Sequence, residues 1–244
     1  MKKFKNLIAG ILRFIFSSYP KDEKDIPIFI NNYNRLSTLK LLIIALKKRE
    51  YTNIHILDNQ STYPPLLEFY KTTECHVHLL KKNYGSKAFW KSGLWLRFVN
   101  SYFVLTDSDV VPVDECPSDF LKFFLQMLKK YPIVHKIGFS LKIDDLPDHY
   151  ANKQKVIEWE KKYYQQSIEQ HIFIAPIDTT FALYRPFSKV GERDERTLVL
   201  RTGFPYQARH LPWYINSNAL DDEEKFYLNS LNTRTHWSRR NLSF

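Results

Sequence analysis

The chain has 244 residues, enough for one full α/β domain with a sizeable core, and 44% of them are hydrophobic, which excludes a disordered chain. With six glycines it holds no G-x-G-x-x-G and no G-x-x-x-x-G-K-[ST], which argues against a dinucleotide-binding or P-loop enzyme. A net charge of +10 fits a solvated basic surface or an anionic partner such as nucleotide or membrane lipid, and nucleic acid is excluded as a partner because no motif for it accompanies the charge.

The first eighteen residues stand apart. Phe4, Leu7, Ile8, Ile11, Leu12 and Ile15 recur at helical spacing among Lys2, Lys3, Lys5 and Arg13. The run is too short to span a bilayer. Residues 1–20 are therefore read as an amphipathic segment that lies on an anionic cytoplasmic leaflet through residues 1–18 or packs on the protein's own core. A charged linker, 21–25, leads into a domain over 24–215, and an extension follows over 216–244.

Within the domain, 26–30 reads as a first strand and a helix follows from Ser37 or Thr38, either of which can cap it. Residues 53–57 are a second strand ending at Asp58. Pro64 and Pro65 open a short helix, and 76–80 form a third strand. A continuous helix is expected over 86–99. The apolar run Tyr102-Phe103-Val104-Leu105-Thr106 is a buried fourth strand that leads into Asp107-Ser108-Asp109. This alternation predicts a mostly parallel central sheet flanked by helices, whose ligands bind beyond the carboxyl ends of the strands. Asn31, Asp58, Asn83 and Asp107 all fall at those ends. Beyond residue 111 the rhythm changes to a smaller mixed region: helices over 118–131 and about 152–164, strands over 137–143, 179–184 and 197–201, and one short helix after Asp221. Cys75 and Cys116, without a C-x-x-C, give no disulfide framework and suit a reducing cytosol.

Asp107-Ser108-Asp109 carries the most chemistry. On an extended chain, side chains two apart face the same side. Two hard oxygen ligands so placed can hold Mg²⁺ or Mn²⁺, and such an ion recruits phosphate oxygens as further ligands.

Four segments, in order, resemble the nucleotide-sugar glycosyltransferases of GT-A fold, family-2 type. They are Ile26 to Arg35 with its Tyr33-Asn34-Arg35, Leu57-Asp58-Asn59-Gln60-Ser61-Thr62, Asn83-Tyr84-Gly85 and Thr106-Asp107-Ser108-Asp109. The resemblance covers residues 26–111, making 24–111 a nucleotide-binding half and 112–215 an acceptor half. It implies transfer of a sugar from a nucleotide-diphosphate donor, UDP in the first instance, to an acceptor hydroxyl, with inversion. Asp58 would contact the base, Asn31, Tyr33 and Arg35 would line the nucleotide pocket, and Asn83 and Lys87 would lie near ribose or diphosphate. Asp107 and Ser108 would line the donor site, and Asp109, with Asp107, would ligate Mn²⁺ or Mg²⁺. His210 is a candidate third ligand, its alternative being a structural histidine. Asp178 is the first candidate for general base, with Asp145 in Asp144-Asp145 the second. Arg185 and Trp213 are acceptor-side candidates. The acceptor would be a glycan or a lipid-linked intermediate of surface polysaccharide or glycolipid synthesis, and the protein would sit peripherally on the inner membrane face. His76 and His78 are read as structural.

Three other readings compete. Asp107-Ser108-Asp109-Val110-Val111 fits the nucleophile motif of haloacid-dehalogenase-type phosphatases, although that family carries the motif on its first strand. A sugar nucleotidyltransferase should show an early Gly-rich loop. A catalytically inactive glycan- or membrane-binding module of the same fold would lack the base.

Overall fold

The computed structural model describes residues 19–177, 181–188 and 198–231. The amphipathic segment 1–18, Asp178 and the basic end of the chain lie outside the described residues. In chain order the elements are β1 (Ile28–Asn32), α1 (Ser37–Lys47), β2 (Ile54–Asp58), α2 (Pro64–Thr72), β3 (His76–Leu79), α3 (Ala88–Lys91), β4 (Phe103–Asp107), β5 (Val110–Pro112), α4 (Phe120–Lys130), β6 (Lys136–Leu141), α5 (Lys153–Lys161), β7 (Ser167–Glu169), β8 (Ile172–Ile174), β9 (Ala182–Tyr184), β10 (Val199–His210) and α6 (Asp222–Ser230).

One ten-stranded sheet in the order β3-β2-β1-β4-β9-β6-β10-β8-β7 runs through both halves, with β5 paired to the far end of β10. β1, β2, β3 and β4 are parallel to one another, and β6 and β10 are parallel to each other. β9 inserts antiparallel between β4 and β6, so all six of these strands run the same way. The mostly parallel α/β sheet flanked by helices that the sequence predicts is the one found.

The alternation of β1 shows how the sheet is covered. Ile28 and Ile30 join the main core, with Leu39, Leu42 and Leu46 of α1 and Phe120 and Phe124 of α4, whereas Phe29 points to the opposite face among Leu57, Phe89 and Phe103. The second face is covered by the segment expected to be one helix over 86–99. It forms only α3 and flanking 3₁₀ turns, because Gly93 adopts φ +80° and ends the helix in a left-handed turn. Aromatic contacts replace helical regularity there: Phe29 against Phe89 at 4.6 Å and Phe89 against Phe103 at 4.9 Å between ring centroids.

β10 is the largest departure from expectation. Its twelve residues extend far beyond the strand read over 197–201. Gly203 and Pro205 mask it in the sequence, since both residues weaken strand interiors. The sheet accommodates them with a register shift between Thr202 and Gln207 against β6. Gly138 of β6 allows β9 to come close: a Cβ there would lie 2.9 Å from Cα of Ala182 and overlap the carbonyl oxygen of Phe181. Gly138→Ala should therefore lower stability by at least about 1–3 kcal/mol, read as a shift of the urea unfolding midpoint.

His55, His76 and His78 stack on the second face of the sheet. Ring centroids lie 4.7 Å apart for His55 and His76 and 5.3 Å for His55 and His78, and His55 Nδ1 lies 3.0 Å from His78 Nε2. Burial, reinforced by the neighbouring imidazoles, lowers the pKa of His55 to about 4. The folded state thus binds fewer protons than the unfolded chain between pH 4 and 6.5. Stability from this stack is present above the unfolded histidine pKa and falls as pH drops toward 4. Urea midpoints measured across that window should fall with acid, and His55→Phe should flatten the dependence.

Candidate functional site

The site forms where β1, β2 and β4 end together. Register places Asn31 opposite Asp107 and Asn32 opposite Asp58. Asn31 donates from Nδ2 to Asp107 Oδ1 at 3.1 Å and accepts from Asn59 Nδ2 at 2.5 Å. Asn59 in turn accepts from the backbone N–H of Tyr84 at 3.0 Å, and Asn83 closes its own turn by accepting from Gly85 N–H at 2.8 Å. All four motif segments are thus joined by one chain of hydrogen bonds, ending at the Asp107 carboxylate.

Asp58 is buried beneath this layer. Its Oδ2 accepts from Ser61 N–H at 2.9 Å and its Oδ1 from the Tyr70 hydroxyl at 3.0 Å. Burial and the adjacent Asp58 charge raise the pKa of Tyr70, which therefore stays a donor. Lys87 and Asn83 are exposed on the loop after β3, while Ser108 is buried.

After Asp107 the chain does not continue extended. Ser108 and Asp109 form a turn into β5, so the two carboxylates meet different partners. Asp107 faces Asn31. Asp109 faces His210, with Oδ2 3.8 Å from Nε2. The extension of β10 brings this about. It pairs antiparallel with β5, setting His210 opposite Val110, and Leu211 N–H donates to the Asp109 carbonyl at 2.9 Å. The Nδ1 of His210 is buried with no hydrogen-bond partner. Burial lowers the pKa of His210; Asp109 pulls it up and Arg35 pushes it down, with burial prevailing. The ring is thus neutral, the form that ligates metals.

Arg35 is a second charged neighbour of Asp109. Burial works against its charge, but Asp109 and Glu224 outweigh that and hold its pKa above the ordinary guanidinium value. Its two terminal nitrogens grip both oxygens of Glu224 at 3.0 Å, and its guanidinium lies 3.9 Å from the Tyr227 ring centre. Both partners belong to α6. The same helix accepts the Tyr33 hydroxyl at Ser230 O (2.9 Å) and Asn34 Nδ2 at Ser230 Oγ (2.9 Å). Glu223 caps α1 by accepting from Leu36 N–H, Ser37 N–H and Ser37 Oγ, each at 2.9 Å. Capping of α1 by Ser37 or Thr38 is thus replaced by a carboxylate from 186 residues away along the chain. The sequence places a helix here, but its acidic first turn, Asp222-Glu223-Glu224, reads locally as helix-dipole compensation. Nothing local says that two of these acids reach the loop after β1.

The remaining predicted residues are held by other partners. Arg185 follows β9 at the edge where β4 begins, since Tyr184 pairs with Phe103. Its guanidinium donates to the carbonyls of Val134 at 2.6 Å and Tyr131 at 3.0 Å, well away from Asp107. Asp145 accepts from Arg209 at 2.7 and 3.0 Å and from Tyr214 at 2.5 Å. Burial opposes its charge, but these hydrogen bonds prevail and hold its pKa below the usual carboxylate range. Trp213 is buried, its ring edge-on to His210 at 4.8 Å, so it is a wall behind that histidine. Among the described residues no three His, Cys, Asp or Glu side chains converge at metal-binding spacing, and no helix is long and apolar enough to cross a membrane.

No family model matches the sequence, and no curated protein matches it. Solved structures do. A crystal structure of S. aureus TarS 1-349 is similar at 12% identity over 75% of this chain and 59% of that one, with TM-score 0.43. Glucosyl-3-phosphoglycerate synthase from Mycobacterium tuberculosis, crystallised with Mn²⁺, UDP-glucose and glycerol 3-phosphate, is similar at 12% identity over 66% and 56%, with TM-score 0.38. The chain therefore spans less than two thirds of either protein. At that distance the likeness is one of chain architecture, and the chemistry of the site is read from its own residues.

Removing Glu224 would leave Arg35 buried against Asp109 alone. Glu224→Ala should cost about 3–5 kcal/mol, the cost of breaking a buried pair from one side, whereas Arg35→Met with Glu224→Leu should restore most of it. Urea unfolding of the two variants checks this.

Proposed function

We propose that the protein is a metal-dependent, inverting glycosyltransferase that moves a sugar from a nucleotide-diphosphate donor, UDP-linked in the first instance, to an acceptor hydroxyl. The observation that carries the reading is the meeting of Asp109 and His210, 101 positions apart in sequence, at the carboxyl end of the sheet.

The donor set suits a divalent cation. A carboxylate oxygen lies 3.8 Å from a neutral imidazole nitrogen, and Mg²⁺ or Mn²⁺ held by one or two protein groups completes its shell with substrate phosphates and water. Asp109 and His210 would hold it, while Asp107, bonded to Asn31, would line the donor site. When bound, the ion neutralises charge that develops on a departing diphosphate. The protein's own residues do the rest. Asn31, Asn59 and the Asn83 turn fix the floor of the pocket. Asp58, held by Tyr70 and Ser61, lies at the end of β2 on the base side. Tyr33 and Arg35 would form the wall and Ser108 would line the donor site, with the exposed Lys87 on the loop after β3 as a candidate partner for the diphosphate.

The acceptor hydroxyl must lose a proton, and the assignment favours Asp178 as general base. Asp178 is followed in sequence by Thr179, Thr180 and Phe181, neighbours that suit a sugar pocket. Asp145 is a weaker base because Arg209 and Tyr214 already hold its oxygens. Residues 24–111 then form the donor half and 112–215 the acceptor half. Residues 1–18 would make a peripheral contact with the inner membrane face, and the acceptor would be a lipid-linked or surface-glycan intermediate.

Calorimetric titration of UDP, with and without Mn²⁺, tests the reading. Binding should require Mn²⁺, and Asp109→Asn and His210→Ala should each weaken it by tenfold or more. Absence of binding by UDP, GDP and TDP under both conditions would reject it and leave the phosphatase and inactive-module readings.

A further inference from the structure

From Cys75 to Thr106 the chain contains no acidic residue, although 26 of its 244 residues are Asp or Glu. The same stretch carries Lys81, Lys82, Lys87, Lys91 and Arg97, all exposed. It is also the segment that leaves the carboxyl end of β3, crosses the second face of the sheet as α3 and its 3₁₀ turns, and returns to start β4.

Between the cations lies apolar surface of a particular kind. Leu96 is 62% exposed. Trp90 and Trp95 are half-buried, 6.2 Å apart, and Trp90 continues to Tyr184 at 5.9 Å. Beneath them Phe89 and Phe103 anchor the segment to the sheet. Half-buried tryptophans interleaved in the chain with exposed lysine and arginine suit the interfacial region of a bilayer, where the ring settles among headgroups and the cations meet anionic lipid. A soluble acidic protein would satisfy the charge but leaves the exposed leucine and paired tryptophans without a purpose, so the bilayer is the better fit.

We infer that the segment from Lys81 to Arg97 is an interaction surface for an anionic lipid bilayer, separate from the amphipathic residues 1–18. The inference stands without the chemistry read at the site. If that chemistry holds as well, the surface begins beside Lys87 and sets the donor pocket against the membrane.

Full-length protein is to be sedimented with vesicles of equal parts phosphatidylglycerol and phosphatidylcholine, and with vesicles of phosphatidylcholine alone. The wild type should bind the anionic vesicles and release with added salt. The combined variant Lys91→Glu, Leu96→Glu, Arg97→Glu should bind them tenfold or more weakly, since each basic residue near such a surface adds several-fold to partitioning. Its thermal unfolding and UDP binding serve as checks of folding and of the separate site. A second measurement uses only a mild change: lipids brominated in their acyl chains should quench wild-type tryptophan fluorescence, and Trp95→Phe should lose part of that quenching. Undiminished vesicle binding by the combined variant, equal binding to neutral vesicles, or quenching unaltered by Trp95→Phe would overturn the inference.

Discussion

The candidate site depends on β1 lying between β2 and β4 in one register. Because parallel neighbours end at the same level, that register alone sets Asn31 beside Asp107 and Asn32 beside Asp58. A slip of one residue would turn Asn31 to the other face and put Phe29 into the main core in place of Ile28 and Ile30. The register is enforced by the side chains beneath it. Ile28 and Ile30 are wholly buried on one face and Phe29 on the other, so no displaced pairing buries the same surface. The polar layer at the strand ends inherits its accuracy from the apolar layers under it.

A second constraint joins the two halves of the chain. β10 begins as a parallel neighbour of β6 and finishes as an antiparallel neighbour of β5, so one strand carries the chain from the core to the turn after Asp107. β6 runs parallel along one edge of β10, and β8 and then β5 run antiparallel along the other, while the register shift between Thr202 and Gln207 takes up the residues of β10 that have no partner on β6. The Arg201–Glu160 ion pair, both side chains buried with nitrogen and oxygen 2.7 Å apart, pins the strand to α5 just before the shift. His210 therefore reaches Asp109 by a route of backbone pairing, which positions it more rigidly than a loop would.

What the sequence made legible follows from how local each signal is. The β-α alternation of the first half, the Asp-Ser-Asp turn and the strand-end asparagines are written in runs of a few residues, and the sheet appears where those runs put it. The helix expected over 86–99 failed because its apolar spacing serves aromatic contacts on the sheet face, and one left-handed glycine outweighs the periodicity. The reach of β10 was hidden because Gly203 and Pro205 oppose strand formation locally and are tolerated only where β10 itself bulges away from β6 between Thr202 and Gln207. The role of α6 was illegible for a different reason. Glu223 and Glu224 act on residues nearly two hundred positions earlier, and no local pattern encodes that distance.

The grip of α6 on the loop after β1 also settles a charge problem at the site. Arg35 is buried next to Asp109, and a guanidinium so placed normally binds the nearest carboxylate firmly, which would occupy the group most suited to hold a cation. Glu224 changes that balance. It engages both terminal nitrogens of Arg35 at 3.0 Å, while Tyr227 covers the guanidinium plane. Arg35 thus has a counter-charge of its own, and Asp109 can direct Oδ2 toward His210 without leaving a buried cation uncompensated. The helix outside the expected domain boundary is what gives Arg35 a counter-charge and leaves the second carboxylate of Asp-Ser-Asp facing His210.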